Sequence, residues 1–141
     1  IMTLLGPNLD QLLKLCNTTF TLKTTMILAL QLLDRLEVLH NSGFVHGDLS
    51  PENCLMGLNN NSPFVFLTDF EGARNTGTKR LVNIFHTNKS AIFFNSAFAS
   101  INAHNNVQAS RRDDLESLLY MVNYLKFGKL PWFKPNDVIL G

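Results

Sequence analysis

The chain is short of several things, and each shortage removes a class of protein. Only two cysteines occur among its 141 residues, Cys16 and Cys54. They lie far apart and match no CxxC or histidine-rich metal spacing, so neither a disulfide framework nor a zinc site is expected. Free thiols in a reducing interior are expected instead. An excess of charge of either sign is also missing: twelve Lys and Arg face eleven Asp and Glu. That balance gives no electrostatic reason to expect nucleic acid or an anionic membrane as a partner. No apolar run reaches the roughly 18 residues of a membrane span. Residues 1–6 lack the basic flank and apolar stretch of a secretion signal. The expectation is an intracellular protein, cytoplasmic or nuclear, and no internal repeat is visible.

What is present is enough apolar material, 45% of residues, for one core in one domain. Residues 1–5 read as a strand entered midway, which suggests a piece of a longer domain. After Gly6-Pro7, Asn8 is placed to cap a short helix carrying Leu9, Leu12 and Leu13. A longer helix is expected from Thr21 to about His40, with Leu22, Met26, Ala29, Leu30, Leu33, Leu36 and Leu39 or His40 as its core stripe and Asn41-Ser42-Gly43 as its stop. The period then changes. Phe44-Val45, residues 54–56 and residues 64–67 read as short strands, with residues 57–63 as a hairpin loop. Residues 74–96 read as a long surface loop, of a length more often functional than idle. Ser110 opens a last helix, with Asp113 completing a capping box, Leu115, Leu118, Leu119, Val122 and Leu125 facing the core, and Gly128 as terminator. The class is α+β, mainly α.

The informative segment is HGDLSPEN, residues 46–53, with Asp69-Phe70 sixteen positions after Asn53. Phosphoryl transfer from a nucleotide needs a carboxylate to orient the acceptor hydroxyl and hard oxygen ligands to hold magnesium against the phosphates. Asp48, Asn53 and Asp69 supply those groups if the hairpin returns Asp69 beside Asn53. The plain alternative is that Asp48 and Asn53 are turn residues beside Pro51, and that Asp69 caps the next stretch of chain. The apolar strand before Asp69-Phe70 and the long helix before the loop favour the catalytic reading.

With these motifs the sequence resembles the casein kinase 1 superfamily of protein kinases, over nearly the whole chain. MTLLGPNLDQLL resembles the end of that family's hinge strand and the helix after it, and FTLKT the start of its long helix. ASIN at residues 99–102 looks like its replacement for the APE motif, and SRRDDLESL at 110–118 like its central buried helix. VHGD and GKLPW look more like the vaccinia-related kinase branch. The resemblance implies a protein-kinase-like C-terminal lobe, with small β-hairpins at the catalytic and magnesium-binding loops. Residues 1–141 would hold the hinge and most of that lobe, without the N-terminal lobe or the last helices. It also implies ATP and Mg2+ as cofactors and a protein substrate bearing a Ser or Thr hydroxyl. Asp48 would be the catalytic base, Asn53 and Asp69 the metal ligands, and Leu55 the floor beneath adenine, with Leu5 and Gly6 near the hinge. His46 and Phe70 would stack in the internal spine, and Asp114 would hold the catalytic loop from below.

Four departures stand against that pattern. Ser50 occupies the place of a catalytic-loop lysine, and Gly47 that of the arginine that reads a phosphorylated loop. Glu71 occupies the place of a glycine, with Gly72 as its partial substitute. Asn95 and Ala97 replace a threonine and an anion-binding arginine, so a preference for primed substrates is not expected. Lys79, Arg80 and Lys89 read as a solvated basic loop. Trp132 and Phe133 are expected at the core edge, and His86 and His104 in loops. Residues 45–73 also resemble aminoglycoside and choline phosphotransferases, which work without the lysine. Three functions are open: a serine/threonine protein kinase, inactive as an isolated piece; a pseudokinase scaffold or binding module; or a small-molecule phosphotransferase.

Overall fold

The structure, a computed structural model, describes residues 4–76 and 97–132. It begins with a reciprocal cap. The Gln11 amide N–H donates to the Asn8 side chain at 2.8 Å, and the Asn8 N–H donates to the Gln11 side chain at 3.0 Å. This box satisfies two otherwise orphaned donors and opens α1, Leu9–Leu15. Thr21 caps α2, Leu22–Asn41, by accepting from the Thr24 N–H at 3.1 Å. The helix stops at Ser42, before a glycine with φ of 85°.

The expected core stripe of α2 holds at Leu36 and His40 and fails at Leu22, Met26, Leu30 and Leu33. Thr25, Leu28, Leu32, Leu36 and His40 are buried, whereas Leu22, Met26, Leu30 and Leu33 are exposed. Both faces carry leucine, so periodicity alone allows two answers. Polar Thr25 near its start disguised the true one. Thr25 is buried at no hydrogen-bonding cost because its hydroxyl donates to the Thr21 carbonyl at 3.0 Å. His40 is buried against the Asp114 carboxylate, 2.7 Å away.

Two small antiparallel pairs come next. β1, Phe44–Val45, pairs with β4, Arg74–Asn75, and β2, Cys54–Met56, pairs with β3, Val65–Leu67. The hairpin loop at residues 57–63 is as expected and contains a 3-10 turn, Asn59–Asn61. A Cβ on Gly57 would lie 2.2 Å from the Asn61 carbonyl oxygen, so the loop requires glycine there. Phe64 is exposed and falls outside β3, and β4 was not foreseen. Gln31 fastens the hairpin to α2. Its amide donates to the Pro63 carbonyl and accepts from the Val65 N–H, both at 2.9 Å.

A one-turn helix α3, Ile101–His104, was also not foreseen, and it takes His104 out of the expected loop. α4, Arg111–Phe127, starts with the expected Ser110–Asp113 box and ends at Gly128 with φ of 71°. A Cβ at Gly128 would fall 2.5 Å from the Thr18 carbonyl oxygen, so this end of α4 fits against the α1–α2 linker through a glycine. The core lies where α2 and α4 pack together. Leu118, Met121 and Leu125 point into it, while Leu115 and Leu119 are exposed, contrary to expectation. Cys54 sits inside, its sulfur 4.0 Å from that of Met121, and burial, with Glu52 nearby, pushes its thiol pKa up. Trp132 is half exposed; its indole N–H donates to the Ala97 carbonyl at 2.8 Å and its ring meets Tyr120 edge-on. No helix among the described residues is long and apolar enough to cross a membrane. Phe133 lies outside the described residues.

The two faces of α2 give a direct test. Leu32→Ala should cost about 2–5 kcal/mol in urea unfolding, whereas Leu30→Ala should stay within about 0.5 kcal/mol. The opposite order would restore the stripe read from periodicity.

Candidate active site

The catalytic-loop candidate leaves β1 at Val45, and its first two peptide groups are held by α4. The N–H groups of His46 and Gly47 each donate to the Asp114 carboxylate at 2.9 Å. The His46 ring is oriented on both sides. Its Nε2 faces the Thr68 carbonyl at 3.0 Å, and its Nδ1 faces the Asp48 N–H at 3.4 Å. A carbonyl only accepts and an N–H only donates, so the ring is the tautomer protonated at Nε2. Gly47 has φ of 78°, and a Cβ there would lie 3.1 Å from the Gly72 carbonyl oxygen. Its glycine is therefore suited to the turn, beyond being the absence of an arginine.

Asn53 ends a 3-10 turn, Pro51–Asn53, whose preceding residue is the buried Ser50. Its side-chain NH2 donates to the Asp48 carbonyl at 2.9 Å and to the Asp48 carboxylate at 3.2 Å. Asp48 and Asn53 therefore share one small site. The second loop joins them through Thr68, whose N–H and hydroxyl both donate to the Asn53 carbonyl, at 2.9 and 3.1 Å. Asp69 comes next in a left-handed conformation, φ 59° and ψ 70°, its carboxylate accepting from the Glu71 N–H at 3.4 Å. The 3-10 turn Phe70–Gly72 then passes close to the first loop. A Cβ on Gly72 would sit 3.7 Å from that of Asp48, an ordinary contact distance. Phe70 tilts against the His46 ring with centroids 5.2 Å apart, its other side exposed.

Leu5, Gly6 and Leu55 also come together. The Gly6 N–H donates to the Met56 carbonyl at 2.8 Å, the Met56 N–H to Pro7 at 3.0 Å, and Asn8 bridges Leu55. The segment carrying Leu5 thus runs along β2.

A second carboxylate, missed as a hub, lies beside Asp114. Asp113 Oδ1 accepts from the Ser100 hydroxyl and the Asn102 amide, both at 2.8 Å. Its Oδ2 accepts from the Ser110 N–H at 2.7 Å and the Ser110 hydroxyl at 2.6 Å. Burial pushes this carboxyl up, but hydrogen bonds from Ser110, Asn102 and Ser100 together outweigh it and hold the pKa below its usual value. The sequence showed the Ser110 half of this arrangement as a capping box. It gave no sign that Ser100 and Asn102 belong to the same group. Asn95, Lys79, Arg80, Lys89 and His86 lie outside the described residues.

The donor chemistry fits magnesium. Both Asn53 amide hydrogens are directed at Asp48, so Oδ1 is the atom turned to other partners, and Asp69 adds a carboxylate one residue beyond Thr68. Magnesium takes hard oxygen ligands and keeps several waters, so two protein side chains suffice.

A sequence model of the protein tyrosine and serine/threonine kinase family matches residues 2–115. The chain belongs to that family. Its members in general are phosphotransferases that use ATP and Mg2+ and act on protein substrates. The mixture of helices and small antiparallel pairs is compatible with a protein-kinase-like fold.

Two outcomes are expected. Asp114→Asn turns an amide NH2 toward buried donors, so it should cost about 2–3 kcal/mol and speed hydrogen exchange at the Gly47 amide. Asp113 has a lowered folded pKa, so its contribution is present above the unfolded value of about 3.9 and is lost as pH falls through the folded one. The urea midpoints of wild type and Asp113→Asn should therefore converge below about pH 4.

Proposed function

We propose that this chain is the hinge and C-terminal-lobe part of a serine/threonine protein kinase of the casein kinase 1 superfamily. The observation that carries the reading is the Asn53 amide donating to the Asp48 carboxylate while Thr68, next to Asp69, donates to the Asn53 backbone. The Asp48 and Asn53 side chains thereby meet, and the second loop is tied to Asn53 one residue before Asp69.

In this reading Asp48 orients the acceptor hydroxyl and takes its proton. The Asn53 amide steadies that carboxylate and sets its direction. Asn53 Oδ1 and Asp69 would hold magnesium, which when bound neutralises the phosphate charge. Leu5, Gly6 and Leu55 would border the adenine of ATP. Ser50 places a hydroxyl where kinases have an ammonium, so the loop has one positive charge less to offer the transferring phosphate. That same residue favours a second reading, a pseudokinase that retains the fold and binds partners without transfer.

The test uses the intact protein with radiolabelled ATP and casein as a generic hydroxyl acceptor. Asp48→Asn should lower kcat by roughly 10²–10⁴-fold while leaving magnesium-dependent ATP binding in place. Asp69→Asn should weaken that binding. Retained transfer in Asp48→Asn would remove the base assignment, and ATP binding without transfer in wild type would favour the pseudokinase.

A further inference from the structure

Ser50 is held in its turn through the backbone. Its carbonyl accepts the Asn53 N–H at 3.1 Å, and the Asn53 amide closes the same stretch of chain on Asp48. With φ of −151° and ψ of 163° the residue is extended, so its side chain lies opposite those of Leu49 and Pro51. Both neighbours are buried, Leu49 in the core, and Ser50 therefore points away from the core. The residue is itself 2% exposed, yet its side chain caps nothing and, among the described residues, its hydroxyl makes no hydrogen bond. No fully buried side-chain oxygen among those residues goes without a partner, so the hydroxyl is the part of Ser50 that still meets solvent. A hydroxyl kept this way beside Asp48 is open to a group that arrives from outside.

Charge defines what that group is. Residues 36–73 contain no Lys or Arg and carry Glu37, Asp48, Glu52, Asp69 and Glu71. Two of these carboxylates stand two residues to either side of Ser50. Arg35, just before the stretch, donates to the Val65 carbonyl at 3.3 Å, and Lys14 of α1 is tied to Asp10 at 2.6 Å. In transfer from ATP the acceptor oxygen bonds the γ-phosphorus and its proton passes to Asp48. The bridging oxygen leaves on ADP with the bonding electron pair. Negative charge is then spread over the phosphoryl oxygens, and a cation beside the acceptor lowers the barrier. The catalytic segment has none of its own to offer.

We infer that Ser50 is a specificity-determining residue: its short, unbonded hydroxyl admits a positive charge carried by the acceptor, so the preferred acceptor is a peptide with Lys or Arg close to its Ser or Thr. The inference deepens the kinase reading and rests on it. The acceptor's ammonium or guanidinium donates to the Ser50 hydroxyl, is favoured by the carboxylates of the segment, and offsets the phosphoryl charge. An acidic acceptor meets those same carboxylates as like charges and is disfavoured.

The test uses the intact protein, radiolabelled ATP and three peptides that share one serine, flanked by Arg, by Ala or by Glu. The Arg peptide should exceed the Ala peptide in kcat/KM about tenfold, with the Glu peptide lowest. Ser50→Lys supplies the charge from the protein, so it should abolish the Arg advantage and speed transfer to the Ala peptide. Should that variant not fold, wild type decides: ethylammonium should speed transfer to the Ala peptide and not to the Arg peptide, whereas tetramethylammonium at equal ionic strength should do neither. Equal rates on the three peptides, an Arg advantage kept in folded Ser50→Lys, or no difference between the two ammonium salts overturns the inference. If wild type phosphorylates none of the peptides, the kinase reading falls separately and fluorescence anisotropy with labelled peptides decides. Tighter binding of the Arg peptide than of the Ala peptide upholds the charge preference, and equal binding overturns it.

Discussion

The site depends on one buried carboxylate. Asp114 accepts two successive backbone N–H groups of the loop and the His40 ring of α2. Buried backbone donors without acceptors are costly, so a loop that turns as sharply as residues 46–48 needs a partner from elsewhere. α4 supplies it from its first turn, where the helix dipole also favours negative charge. Everything nearer the chemistry is stacked on that contact: the oriented His46 ring, the Asp48 backbone and the Asn53 amide that reaches back to Asp48.

Departures from the common kinase pattern are partly explained by the same backbone. Gly47 occupies a left-handed conformation under the Gly72 carbonyl, and Gly72 lies against Asp48. Glycine at 47 thus admits the second loop to close range. Nothing in the described residues explains Glu71, whose N–H is used by Asp69. Ser50 is buried and contributes its carbonyl to the Asn53 N–H, so the position is used structurally whatever its side chain does.

Much of this was legible in the residues. Caps are local, and Asn8, Thr21, Ser110 and Gly128 each announced a helix end within a few positions. The return of the second loop to Asn53 was also local enough to read, because a single hairpin connects the two loops. Faces were not. Helix α2 is leucine-rich all round, and its buried side is marked by Thr25 and His40, whose partners lie at Thr21 and at Asp114. β4 is two residues long and exists only because β1 lies beside it. The bonds from Ser100 and Asn102 to Asp113 span 13 and 11 residues, and no pattern in sequence reports such a meeting.

The packing of α2 on α4 has a consequence for synthesis. At about 5–20 residues per second, the ribosome needs roughly several seconds to go from Asn41 to Arg111. Through that interval Leu28, Leu32 and Leu36 are made but their partners on α4 are not. The nascent chain thus carries an unmatched leucine face while the hairpins form, and docking of α4 is the event that ends its exposure to chaperones.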